Sequence, residues 1–236
     1  SEVETLIRLI EENLRLLKEV ADLSLEVIER LLRILKEIVK RSLDVIRRLL
    51  KLIEEVLKDR RLVERAKKEI DRLLEENDKL LKEVEKVIKE LLEENRRLVT
   101  RVRRMNEELL RLIKENRKRK DDLLRELKDL NRKVLKALKE SHDKLKRALE
   151  EVLRVLTESH KRLEEVLKEI LDELRRRGVE DERAKKRLED LLREHREILK
   201  EVVKRLKELL DRHRKLLDEA RRESKRVLDE IDEKTK

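Results

Sequence analysis

VETLIRLIEENLRLLKEV (residues 3–20), ADLSLEVIERLLRILKEI (21–38) and VKRSLDVIRRLLKLIEEV (39–56) align as three copies of one 18-residue unit. Within each copy the apolar residues return every three or four positions, the spacing of one face of an α-helix. Eighteen residues make about five turns of an ideal helix, so that face returns to the same direction without drift. A strict seven-residue repeat would instead drive a left-handed supercoil. The stretch predicts a single long, nearly straight helix with little supercoil.

The rest of the chain is written in the same alphabet. Of 236 residues, 53% are charged and 38% apolar, with no Phe, Tyr, Trp, Cys or Pro and one Gly. That profile keeps aromatic strand formers and helix breakers out and selects for helix propensity. Absent cysteine excludes disulfides and thiolate metal sites and leaves the compartment open. Apolar residues run no longer than pairs, so neither a transmembrane span nor a signal-peptide core is expected. The expectation is a soluble chain with no assigned compartment, suited to recombinant cytoplasmic expression.

Each apolar stripe is interrupted by polar residues whose numbers obey a rule. Asn13, Ser24 and Ser42 on the first quarter pair with Asn106, Asn95 and Asn77 on the second so that each pair sums to 119. Those three pair with Asn131, His142 and His160 to sum to 237, and these in turn pair with Ser224, His213 and His195 to sum to 355. A constant sum is what an antiparallel neighbour produces, residue by residue. The sums predict an all-α, antiparallel, up-down-up-down four-helix bundle, a single domain over 1–236. Its helices are expected at about 2–57, 62–116, 121–175 and 181–234, each about 84 Å long at 1.5 Å per residue.

Turn signals are sparse. Gly178 suits a helix C-cap, followed by Val179 as an apolar contact and Asp181 as the next N-cap. Ser1 and Glu4 match a capping box. Asp121 or Asp122 is the expected cap of the third helix, and Asp59 is the one signal at the first reversal. The clusters Arg117-Lys118-Arg119-Lys120 and Arg175-Arg176-Arg177 are expected near helix C-termini, where cations complement the macrodipole.

The polar residues fall into three levels: Asn13/Asn106/Asn131/Ser224, Ser24/Asn95/His142/His213 and Ser42/Asn77/His160/His195. Ser141 and Ser159 stand beside the two third-helix histidines at the edge of the stripe. A buried hydroxyl, amide or imidazole without a partner costs on the order of 1 to 3 kcal/mol, so members of one level should bond one another. Sliding a helix by a turn would set Leu against Asn, which makes the levels a register device.

Other uses of these residues are weaker. Two His with Ser and Asn, and no carboxylate at mid-stripe, make a poor zinc site, so no metal or cofactor is expected. A packed Leu/Ile/Val core offers no substrate pocket, and no enzyme activity is expected. The net charge of +10 comes from 68 basic residues interleaved with 58 acidic ones and no aromatic to stack on a base, the pattern of a solvated surface and not of a nucleic-acid site. A pH response is more serious, because a buried neutral His resists protonation.

The first helix carries a wider apolar arc than the others. Its flanks are Leu9, Leu16, Val27, Ile34, Val45 and Leu52 on one side, and Ile7, Leu14, Leu25, Leu32, Leu43 and Leu50 on the other. Two explanations stand. The first and third helices touch across the short diagonal of a diamond, or the first helix is also the interface of a homo-oligomer.

Over its whole length the chain resembles computationally designed helical bundles with buried hydrogen-bond networks. The resemblance rests on the equal 59-residue units that sums of 119, 237 and 355 imply by placing the reversals 59 residues apart, the 18-residue repeat, the missing aromatics, Pro and Cys, and the level placement of Asn13, Ser24, Asn95, His142 and His213. It implies a de novo structural scaffold that requires no partner, or an assembly whose histidine network responds to pH.

Overall fold

A computed structural model of the chain describes residues 2–56, 59–115, 119–178 and 181–235, leaving out the side chains of Glu2, Val3, Ile38, Val56, Arg103, Asn106, Leu110, Lys120 and Thr235. The fold is all-α: four long, nearly straight helices packed against one another as a bundle. They are α1 (Glu2–Val56), α2 (Arg60–Lys114), α3 (Lys120–Arg176) and α4 (Glu182–Thr235). Expected features at Ser1, Val179, Arg117, Lys118 and the Asn106 side chain lie outside the described residues.

The helix ends show which local signals act. Asp59 caps α2: its carboxylate accepts the Arg61 N–H at 2.9 Å and its carbonyl the Val63 N–H at 3.1 Å. Asp181 caps α4 as expected, accepting the Ala184 N–H at 3.2 Å. Gly178 has φ 69°, and its N–H donates to the Arg175 carbonyl at 3.1 Å, one of the two bonds of a Schellman turn.

Two expectations fail at the start of α3. Neither Asp121 nor Asp122 is the cap, because the helix starts at Lys120 and the Arg119 carbonyl accepts the Leu123 N–H at 3.0 Å. Both aspartates lie in the first turn, where their charge complements the helix dipole from inside. Arg119 and Lys120 accordingly stand at an N-terminus, not at the C-terminal end where cations are favoured. Arg175 and Arg176 do occupy the last turn of α3.

The chain forms two compact units, and every helix contributes a stretch to each. The first unit comprises Ser1–Leu31, Ile88–Lys146 and Glu208–Lys236, and the second Leu32–Val87 and Arg147–Lys207. In the first, Ile10, Leu17, Val102, Leu127, Leu138 and Ile231 are among the buried core residues. In the second, Ile46, Ile53, Ile70, Leu163, Ile170 and Leu188 fill the same role. Burying each such side chain is worth roughly 1.5 to 3 kcal/mol before entropy is counted, so the apolar stripes and not the surface ion pairs hold the units together.

The wide arc of α1 is largely used within the chain. Leu14 and Val45 are buried, and the other ten flank residues are half-buried. Leu23 is the α1 residue among the exposed large hydrophobics.

Gly178 and Asp59 carry the least redundant turn signals. A Cβ at Gly178 meets nothing within 4 Å, so Gly178→Ala should lose only the backbone strain of a positive φ, about 1 kcal/mol. Asp59→Ala should lose a similar amount through the cap and also its ion pair with Arg177. Denaturant melts of the two variants check this, and an unchanged midpoint for both would contradict it.

Candidate functional site: buried polar layers

Asn13, Asn131 and Ser224 meet in the core of the first unit. Asn13 Nδ2 donates to Asn131 Oδ1 at 3.0 Å, and Asn131 Nδ2 donates back to Asn13 Oδ1 at 2.7 Å. Asn131 Nδ2 also donates to the Leu127 carbonyl at 2.7 Å, and Ser224 Oγ donates to Asn131 Oδ1 at 2.5 Å. Both protons and both acceptor positions of the Asn131 amide are thereby used. The Asn13–Asn131 bond also joins α1 to α3 in this unit, the contact expected across the short diagonal of a diamond.

The two histidine layers are each split in two, which level numbers alone do not reveal. In the first unit, Ser24 Oγ bonds His213 Nε2 at 2.7 Å, and His213 Nδ1 lies 2.8 Å from His142 Nδ1. Asn95 turns away from this chain and donates to Ser141 Oγ at 2.9 Å and to the Leu91 carbonyl at 2.8 Å. The second unit repeats the plan: Ser42 Oγ bonds His195 Nε2 at 2.6 Å, and His195 Nδ1 lies 2.8 Å from His160 Nδ1. Beside it Ser159 Oγ donates to Asn77 Oδ1 at 3.0 Å. Among the described residues, Asn95 Oδ1 and Asn77 Nδ2 are buried without a hydrogen-bond partner. Each such atom costs on the order of 1 to 3 kcal/mol.

A feature absent from the level residues directs the second chain. Glu164, one turn beyond His160, accepts from His160 Nε2 at 2.8 Å and from Arg196 at 2.7 Å. A carboxylate can only accept, so His160 carries its proton on Nε2 and presents Nδ1 as an acceptor. His195 must then donate from Nδ1, which leaves Nε2 to accept from the Ser42 hydroxyl. One surface carboxylate thus fixes the direction of two buried bonds beyond its own. In the first unit Lys146 stands one turn beyond His142, and among the described residues no carboxylate bonds His142 Nε2. Both directions of that chain are therefore open, with His142 or His213 donating between the paired Nδ1 atoms.

Burial sets the acidity of all four rings. It pushes His195 and His213 down to about 4, with the neighbouring His160 and His142 adding to the shift. His142 and His160 are also lowered, by burial first; Asp143 opposes this at His142 and Glu164 at His160.

The order Ser42, His195, His160, Glu164 has the donor sequence of a relay that activates a serine nucleophile. Ser42 is 1% exposed, so an acyl donor has no approach to it. Among the described residues no group of three or more His, Cys, Asp or Glu is arranged to hold a metal ion. No described helix is long and apolar enough to cross a membrane.

The class these features define is a helical bundle with buried Ser/Asn/His hydrogen-bond networks. No protein-family model, curated protein or solved structure matches the chain.

Glu164→Ala tests the directed chain. The His160 pKa should fall further, because the carboxylate that favours its charged form is gone while Arg196 remains. The His160 and His195 imidazoles should change from one tautomer each to a mixture. Imidazole ¹⁵N chemical shifts across a pH titration report both, and unaltered shifts and pKa would contradict the assignment.

Proposed function

We propose that the chain is a de novo designed structural scaffold with no natural biochemical activity, in which the buried Ser/Asn/His layers set the register and mutual orientation of the helices. The observation that carries this reading is the Asn131 amide, whose every donor and acceptor position is filled from its own helix, α1 and α4. Such a constellation specifies one arrangement of three helices and offers nothing to a substrate. The equal units and the 18-residue repeat support the design origin.

A second reading, a pH-responsive bundle, is favoured by the paired Nδ1 atoms of His142/His213 and His160/His195. A ring protonated on both nitrogens can no longer accept between them, so each added proton breaks or reverses a buried bond. The folded pKa of each histidine lies below the unfolded value of about 6.5. Stability is therefore complete above that value and declines as pH falls towards the folded pKa. For His195 and His213, pushed to about 4, the loss is on the order of 3 kcal/mol each between neutral pH and below pH 4. In this reading α1 serves as the homo-oligomer interface; the half-burial of its flanks within the chain favours the scaffold reading instead.

Light-scattering mass and thermal melts over pH 7.5 to 3.5 separate the two. The scaffold predicts one monomeric mass throughout, with a melting temperature that declines below about pH 6.5 because of the histidines. A larger species at neutral pH that dissociates on acidification supports the responsive assembly and removes the monomeric scaffold. A melting temperature independent of pH over that range would overturn the assignment of the histidines as buried and neutral.

A further inference from the structure

Residues 95–106 of α2 and 130–139 of α3 contain no acidic side chain, although acidic and basic residues are interleaved along most of the chain. The Asn95–Ser141 hydrogen bond pins these two stretches side by side in the first unit. Arg97, Arg101 and Arg104 recur at helical spacing along the α2 side of a groove of about 670 Å³, with Leu98, Ala137 and Ser141 also lining it. That volume lies within the range of small-molecule sites.

Of the arginines lining the groove, Arg96 pairs with Glu29 at 3.4 Å, and the others are less well paired. Arg97 reaches Glu93 only at 3.7 Å, and Asp129 is shared between Arg132 and Lys133. Arg101, Arg104, Lys136 and Lys139 have no carboxylate partner among the described residues. Glu94 lines the groove and is the acidic side chain there.

A second observation points to an anion. Ser141 is 6% exposed, and its Oγ accepts from Asn95, so its own proton is free to donate and has no acceptor among the described residues. The groove lining is mainly apolar, with Leu98 and Ala137 among its residues.

We infer that this α2/α3 groove binds a small amphiphilic oxyanion, its head group held by the guanidinium groups of Arg97, Arg101 and Arg104 and the Ser141 hydroxyl, its tail over Leu98 and Ala137. Guanidinium groups match the geometry of phosphate and carboxylate oxygens, and the Ser141 proton supplies a further donor. The short cationic stretch and the lack of aromatic residues favour a small amphiphile over a nucleic acid.

Calorimetric titration of the full chain with monodecyl phosphate, below its micelle concentration, tests this. The expected result is saturation at one ligand per chain, with Arg101→Gln/Arg104→Gln weakening binding at least about tenfold and Ser141→Ala several-fold. The matched-charge control Arg212→Gln/Arg222→Gln should bind like the parent. Decanol should bind far more weakly for want of the head group, and inorganic phosphate for want of the tail. Thermal melts identify any variant that fails to fold, and the exposed Arg101 and Arg104 make that double variant the decisive one. The inference is overturned if it binds like the parent, if the control weakens equally, if many ligands bind per chain, or if decanol or inorganic phosphate alone binds as tightly.

Discussion

A polar atom taken out of water must find a partner inside, and this requirement organises the molecule more than any apolar contact does. Leu, Ile and Val interdigitate in many registers at similar cost, so a stripe composed only of them specifies proximity and little else. Asn131 is different: its four hydrogen-bonding positions are met by Asn13, Leu127 and Ser224, and a shifted helix would empty at least one. Short connections act in the same direction. Three residues separate Val56 from Arg60, which limits sliding between α1 and α2 to a small fraction of their length. The connection sets a coarse register and the polar layer selects within it.

The histidine layers extend the principle into direction. An imidazole is a donor at one end and an acceptor at the other, so a chain of two rings and a hydroxyl has a polarity that must be chosen. In the second unit Glu164 chooses it from the surface, held in turn by Arg196. In the first unit the corresponding position is Lys146, and the choice is left to the rings. Two layers of nearly identical composition thus differ in how firmly their protons are placed, because of one residue a turn away.

Much of this was legible in the sequence, for a physical reason. Antiparallel helices of equal rise convert spatial level into a constant sum of residue numbers, so the sequence alone groups Asn13, Asn131 and Ser224. Gly178, Asp181 and Asp59 were legible because a positive φ and an N-cap each have few chemical solutions. The division of the histidine layers was not legible. Ser141 and Ser159, one residue before the histidines, face α2 and draw Asn95 and Asn77 to themselves, which depends on rotamers and not on level. Glu164 lay at the edge of the stripe, outside the residues that mark levels; asking which residue stands one turn beyond each histidine would have found it. The cap of α3 is not legible because an aspartate serves a helix both as a cap and inside the first turn. The acid-free pair of stretches around Arg101 and Lys136 was hidden by a whole-chain average of charge.

The layers have a cost. Asn95 Oδ1 and Asn77 Nδ2 are buried without partners, and four imidazoles are held neutral against their ordinary pKa. An apolar core of the same volume would be more stable and less particular. The most direct test replaces the buried residues of all layers by apolar ones of similar size, Ser by Ala and Asn and His by Leu, and compares amide ¹H–¹⁵N spectra and melting temperature with the parent. The account predicts a higher melting temperature together with more than one resonance per amide, as helices settle in alternative registers. A single sharp resonance set with the parent's interhelical proximities, or a lower melting temperature, would contradict the claim that these layers trade stability for a unique arrangement.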